Sequence, residues 1–158
     1  MDEPRSYDVT VCAAADLNEE DRATCIALIR RGGAVDPEYA ETELPRADVV
    51  AVARSAGRIV GVGAIKRTRP SQADTAYKSG VALASDTREL GYVAVDLAHR
   101  GQRLSQRIVG LLLSKNAGPL FATTSSDRMK RTLAKAGFTR NGCEWEGRRA
   151  LLSLWIRE

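Results

Sequence analysis

Residues 99–113 read HRGQRLSQRIVGLLL: a histidine, a basic run broken by one glycine, and then an apolar-rich segment. Leu104, Ile108, Leu111 and Leu112 fall at the offsets that line up on one face of a helix. The basic loop therefore stands at a helix N-terminus, where orphan backbone N–H groups and the positive end of the helix dipole favour an anion, phosphate above all. Arg100, Arg103 and Arg107 add formal positive charge. A solvated basic surface with Gly101 as a simple turn explains this stretch equally well, so its surroundings must decide.

The chain has 158 residues, 44% hydrophobic and 28% charged. That is enough for one compact domain with a sizeable core, and the composition is unlike that of a disordered segment. The expected organisation is a single domain over residues 1–158. No apolar run approaches the length of a membrane span, and the N-terminal MDEPRSYDV is polar rather than signal-like, which points to the cytoplasm. Cys12, Cys25 and Cys143 are far apart and without ligand spacing, which reads as reduced thiols. His99 is the only histidine, so a His-rich metal site is excluded and no metal is expected. The net charge of +4 is compatible with a polyanionic ligand but too mild to demand one.

Along the chain, DVTVCAA (8–14) alternates as an opening strand. A helix follows through ADLNEEDRATCIALIRRGG (15–33), with Asn18 as N-cap, acidic residues in its first turn, Arg30 and Arg31 in its last, and a Gly-Gly stop. VDPEYAETEL (35–44) reads as a short helix or two turns. DVVAVAR and IVGVGAIKRT, joined by SAGR, form a hairpin, and Gly61 and Gly63 there suit the close approach of another backbone or a ligand. Residues 68–88 show no sustained period and are read as a long functional loop, with Tyr77 and Lys78 as candidates to close over a substrate. ELGYVAVD (89–96) is a central strand feeding the basic loop and its helix. LFATT is a buried strand, SSDRMKRTLAKAGF a helix with Met129, Leu133 and Ala136 on one face, and CEWEGRRALLSLWIRE a final strand pair. This is an α/β chain with a mixed sheet, and its ligand site is expected at the C-terminal end of the strand that feeds the basic loop. Trp145, Trp155, Phe121 and Phe138 are read as core.

LGYVAVDLAHRGQRLSQRIVGLLL (90–113), followed by RTLAKAGF (131–138), resembles the GNAT superfamily of N-acetyltransferases. The element order is similar over nearly the whole chain. The resemblance implies a mixed, mostly antiparallel central sheet with helices on both faces, and acetyl-CoA as co-substrate. In that family a loop of the form Arg/Gln-x-x-Gly-x-Gly/Ala holds the pyrophosphate; here the matching positions are Arg100, Arg103 and Ser105. A P-loop is excluded because no GxxxxGK[ST] exists, and the Rossmann glycines are missing. The implied coenzyme site comprises Val93 and Val95, which offer main-chain groups to the pantetheine arm, the loop Arg100, Gly101, Gln102, Arg103, Leu104 and Ser105, and Ser126.

Acetyl transfer to an amine needs a base for the ammonium, an aimed nucleophile and a stabilised oxyanion. The resemblance makes Glu89 the general base. The family's tyrosine acid position is Leu133 here, and Tyr92, Ser126 and Cys143 are the substitutes, so the acid is unassigned. Glu41, Glu43 and Asp48 are candidates to line the acceptor pocket, while His99 is a loop residue rather than a catalyst. The implied activity is acetylation of a primary amine on a small molecule or peptide by direct transfer, and relatives allow a homodimer through the terminal strands. Two other readings remain: a non-catalytic acyl-CoA-binding or regulatory module, motivated by Arg103 and Leu133, and, behind it, an acetylase of aminoacyl-tRNA, motivated by the basic surplus.

Overall fold

The computed structural model describes residues 6–32, 37–66, 71–116, 118–147 and 150–158. The strands are β1 (Asp8–Cys12), β2 (Val49–Ser55), β3 (Arg58–Lys66), β4 (Arg88–Val95), β5 (Leu120–Thr124), β6 (Thr139–Glu146) and β7 (Leu151–Arg157). The helices are α1 (Glu19–Gly32), α2 (Pro37–Glu43), α3 (Ser71–Ser79), α4 (Leu104–Ser114) and α5 (Asp127–Lys135). Short 3-10 turns cover Ala14–Asp16, Leu44–Arg46 and Leu97–His99.

All seven strands join in one sheet in the order β1-β2-β3-β4-β5-β7-β6. The β4–β5 pair is parallel, and the other neighbours run antiparallel. The mostly antiparallel α/β sheet expected from the sequence is the one observed. Asn18 caps α1 by accepting from the Asp21 N–H at 2.7 Å. Gly137, just past α5, takes the left-handed φ of +93° that stops a helix.

Helices cover both faces of the sheet. On one, Cys25, Leu28 and Ile29 of α1 pack with Leu44, Val50, Val52, Val62 and Tyr92. On the other, Leu104, Ile108, Val109 and Leu112 of α4 and Leu133 of α5 pack with Ala51, Ala53, Ile65, Leu90 and Leu120. Gly61 and Gly63 serve this second face. What lies nearest them is the Ile108 side chain of α4, with the Ala94 backbone carbonyl also near Gly61: a Cβ on Gly63 would lie 2.6 Å from Ile108 Cγ2. Phe121 and Phe138 are buried, and the two tryptophans are half-buried.

Of the expected loop 68–88, residues 68–70 lie outside the described residues and the rest corrects the sequence reading. The loop expected there contains α3, which packs on β6 at the far side of the sheet. Among its described side chains the buried ones are Thr75 and Ser79, so small polar residues stand where an apolar period would have disclosed a helix. Among the described residues no helix is long and apolar enough to cross a membrane.

Candidate functional site

β4 carries an irregularity opposite β3. Ala64 pairs with Gly91 and Val62 with Ala94, so Tyr92 and Val93 together oppose Gly63. Tyr92 absorbs the extra residue at φ +56°, in the left-handed region that non-glycine residues occupy at a cost. On its other side β4 pairs with β5 only at Arg88↔Leu120 and Glu89↔Phe121. Beyond Glu89 the two strands part, while β5 keeps its ladder with β7 through Thr124.

A cleft of about 950 Å³ lies at this fork, lined by Leu90–Val95 of β4 on one side and Ala122–Ser126 on the other. At its far end stands the basic loop. His99, Arg100, Gly101, Arg103, Leu104 and Ser105 all line the cleft. Gly101 has φ +81° and Arg103 φ +58°, and Arg103 is the N-cap of α4. The first intrahelical bond of α4 is donated by the Arg107 N–H to Arg103 O at 3.1 Å, and no side chain caps the helix. The amides of Leu104, Ser105 and Gln106 are therefore first-turn donors without helical acceptors, at the positive end of the dipole. In α5, by contrast, Ser126 Oγ accepts from the Met129 N–H at 3.2 Å.

No family model matches the chain. No curated protein matches it in sequence. Solved structures match throughout. An acyl-CoA N-acyltransferase from Pseudomonas aeruginosa superposes with a TM-score of 0.73 at 14% identity, covering 97% of this chain and 100% of that one. A GNAT-family acetyltransferase from Streptococcus agalactiae gives 0.70 at 12% identity, with 98% of each chain covered. The structure of yncA from Salmonella typhimurium with its cofactor acetyl-CoA gives 0.66 at 16% identity, covering 96% and 94%.

The chain has the GNAT fold.

Within that GNAT fold, all but one of the residues expected as base or coenzyme site come together. Glu89, Val93, Val95, Arg100, Gly101, Arg103, Leu104, Ser105 and Ser126 line one cleft, while Gln102, in the same loop, does not. Glu89 sits at the fork and is buried. Its Oε2 lies 3.3 Å from Lys66 Nζ, directly across the β3–β4 pairing. His99 ends the turn before the loop, with its Nδ1 3.0 Å from Tyr7 Oη.

Other candidates lie elsewhere. Glu41 pairs with Arg30, Glu43 with Arg46 at 3.8 Å and Asp48 with Arg88 at 2.8 Å, and none of the three lines the cleft. Tyr77 and Lys78 are on α3, away from the cleft, with Lys78 paired to Asp74 at 3.1 Å. Cys143 is exposed on β6, away from the cleft. Leu133 is fully buried in the core.

Several cleft residues were not singled out from sequence. Arg128, Arg131 and Lys135 form one face of α5 along the cleft, and Lys66 enters from β3. The three α5 residues stand at positions 128, 131 and 135, a helical period that was legible but matches any solvated helix face.

Proposed function

We propose that this chain is an acetyl-CoA-dependent N-acetyltransferase of the cytoplasm, passing an acetyl group directly to a primary amine in a ternary complex. The observation that carries the reading is the fork between β4 and β5, which opens onto an uncapped helix N-terminus flanked by Arg100 and Arg103. The residues fit the coenzyme: a cleft walled by two parted strands offers main-chain groups to the pantetheine arm, and first-turn amides with two guanidinium groups suit a pyrophosphate.

Acetyl-CoA, when bound, supplies an activated thioester. Arg100, Gly101, Arg103, Leu104 and Ser105 hold the pyrophosphate through amides and side chains, and Val93 and Val95 offer main-chain groups to the arm. Arg103 keeps its N–H available in the left-handed conformation and adds a guanidinium that a glycine would lack. Glu89 accepts the acceptor's ammonium proton, directly or through one water.

Calorimetric titration with acetyl-CoA is the first test. The expected result is micromolar binding, weakened at least tenfold by Arg100→Ala, together with thiol release from an amine panel that Glu89→Gln slows by about a hundredfold or more. Absence of binding overturns the reading. Binding with no thiol release from any amine identifies a coenzyme-binding module without chemistry.

A further inference from the structure

Lys66 has no part in the reaction as described, yet it shares the fork with Glu89. Its Nζ lies 3.3 Å from Glu89 Oε2, the two side chains being 15% and 9% exposed. The same Nζ stands 4.2 Å from the centre of the Tyr92 ring, a cation–π arrangement. Gly91 makes the placement possible, because a Cβ there would collide with Lys66 Cε and come within 2.9 Å of Nζ. The lysine stem thus lies across the backbone of the irregular part of β4 and delivers its charge beside the proposed base.

Charge accounting then restricts the acceptor. Lys66 and Glu89 offset each other's charge. When Glu89 accepts a proton from an incoming ammonium, the Lys66 charge loses the counterion it has in a poorly hydrated position, which is costly unless another anion replaces it. Among the described residues, the other formally charged ones of the cleft wall are Arg100, Arg103, Arg128, Arg131 and Lys135, all cations. An acceptor that carries its own anion supplies that replacement.

We propose that the acceptor is a free α-amino acid, its carboxylate taken by Lys66 and its ammonium by Glu89. This inference rests on the acyl-transfer reading above. Two adjacent opposite charges in the wall complement two adjacent opposite charges in the ligand, and each member of the buried pair gains an opposite charge from the ligand. In the reaction the amino acid gives one ammonium proton to Glu89, and its nitrogen forms the new C–N bond as the thioester C–S bond breaks. The second nitrogen proton goes to the departing thiolate, and Glu89 returns its own to solvent. The product keeps the carboxylate and loses the ammonium charge, so Lys66 stays paired until release.

The test measures thiol release with the twenty L-α-amino acids, each matched to its decarboxylated amine and its methyl ester, beside a calorimetric titration with acetyl-CoA. At least one amino acid is expected to exceed both matched compounds tenfold or more in kcat/KM. Lys66→Met should reduce that preference towards unity, chiefly by raising KM for the amino acid, and Lys66→Arg should restore part of it. Thermal melting of each variant verifies that it is folded. Equal or better turnover of the carboxylate-free amines overturns the proposal, as does a preference that survives Lys66→Met. Acetyl-CoA binding with no turnover of any amino acid overturns it too and leaves the coenzyme site standing, whereas absence of acetyl-CoA binding removes the acyl-transfer reading and this proposal together.

Discussion

Tyr92 and Arg103 hold φ values of +56° and +58°, and each such L-residue costs roughly 1–2 kcal/mol. Both line the cleft, one at the irregular part of β4 and the other at the α4 N-cap. Arg103 occupies the position where the resemblance has glycine, and its left-handed backbone gives the physical reason for a glycine there. Arg103→Gly is expected to raise stability in urea by about 0.5–1 kcal/mol, the relieved strain less the added freedom of the unfolded chain. The same variant should bind acetyl-CoA more weakly through loss of a guanidinium. Unchanged stability would show that this conformation costs nothing here. The loop residues were legible because their motif is local, with Glu89 a few positions upstream on the same strand. Lys66 and Gly91 were not, because their neighbourhood exists only once β3 and β4 pair across an intervening segment of about twenty residues, and no local period encodes such a partner.

At the scale of elements, α4 couples the cleft to the sheet. It presents first-turn amides to the cleft and lays Ile108 onto Gly61 and Gly63 of β3. Gly63→Ala should therefore destabilise the protein by about 1–3 kcal/mol, because the added methyl forces Ile108 out of place in a packed core. Gly110, on the exposed side of the same helix with nothing near its missing Cβ, gives the opposite sign: Gly110→Ala should stabilise by roughly 0.5–1 kcal/mol through helix propensity. Thermal melts of the pair check both, and equal effects would remove the packing explanation. The strands and α1, α4 and α5 followed from alternation, apolar period and caps, while 35–44 allowed either a short helix or two turns. α3 did not, since the buried positions among its described side chains are threonine and serine, whose burial depends on what lies above β6 rather than on their own polarity.

Over the whole molecule the two faces of the sheet carry separate cores. Cys25 lies fully buried in the α1 core, and burial, with Asp21 nearby as a lesser cause, pushes its thiol from 9.0 up to about 12. At pH 8 a thiol reagent should label exposed Cys143 first, Cys12 more slowly, and Cys25 only as the fold opens. Labelling of Cys25 at the rate of Cys143 would contradict this packing. The same shift sets a sign for alkaline stability. The folded chain keeps a Cys25 proton that the unfolded chain gives up, so this contribution is intact below pH 9 and is lost as pH rises through about 12. The α1 core has one more consequence. Its buried members run from Ala14 to Tyr92, whereas the opposite core draws on side chains as far as Phe138. During synthesis from the N-terminus, the first face of the sheet can thus close with its own residues while the second stays uncovered, waiting for α4 to leave the ribosome.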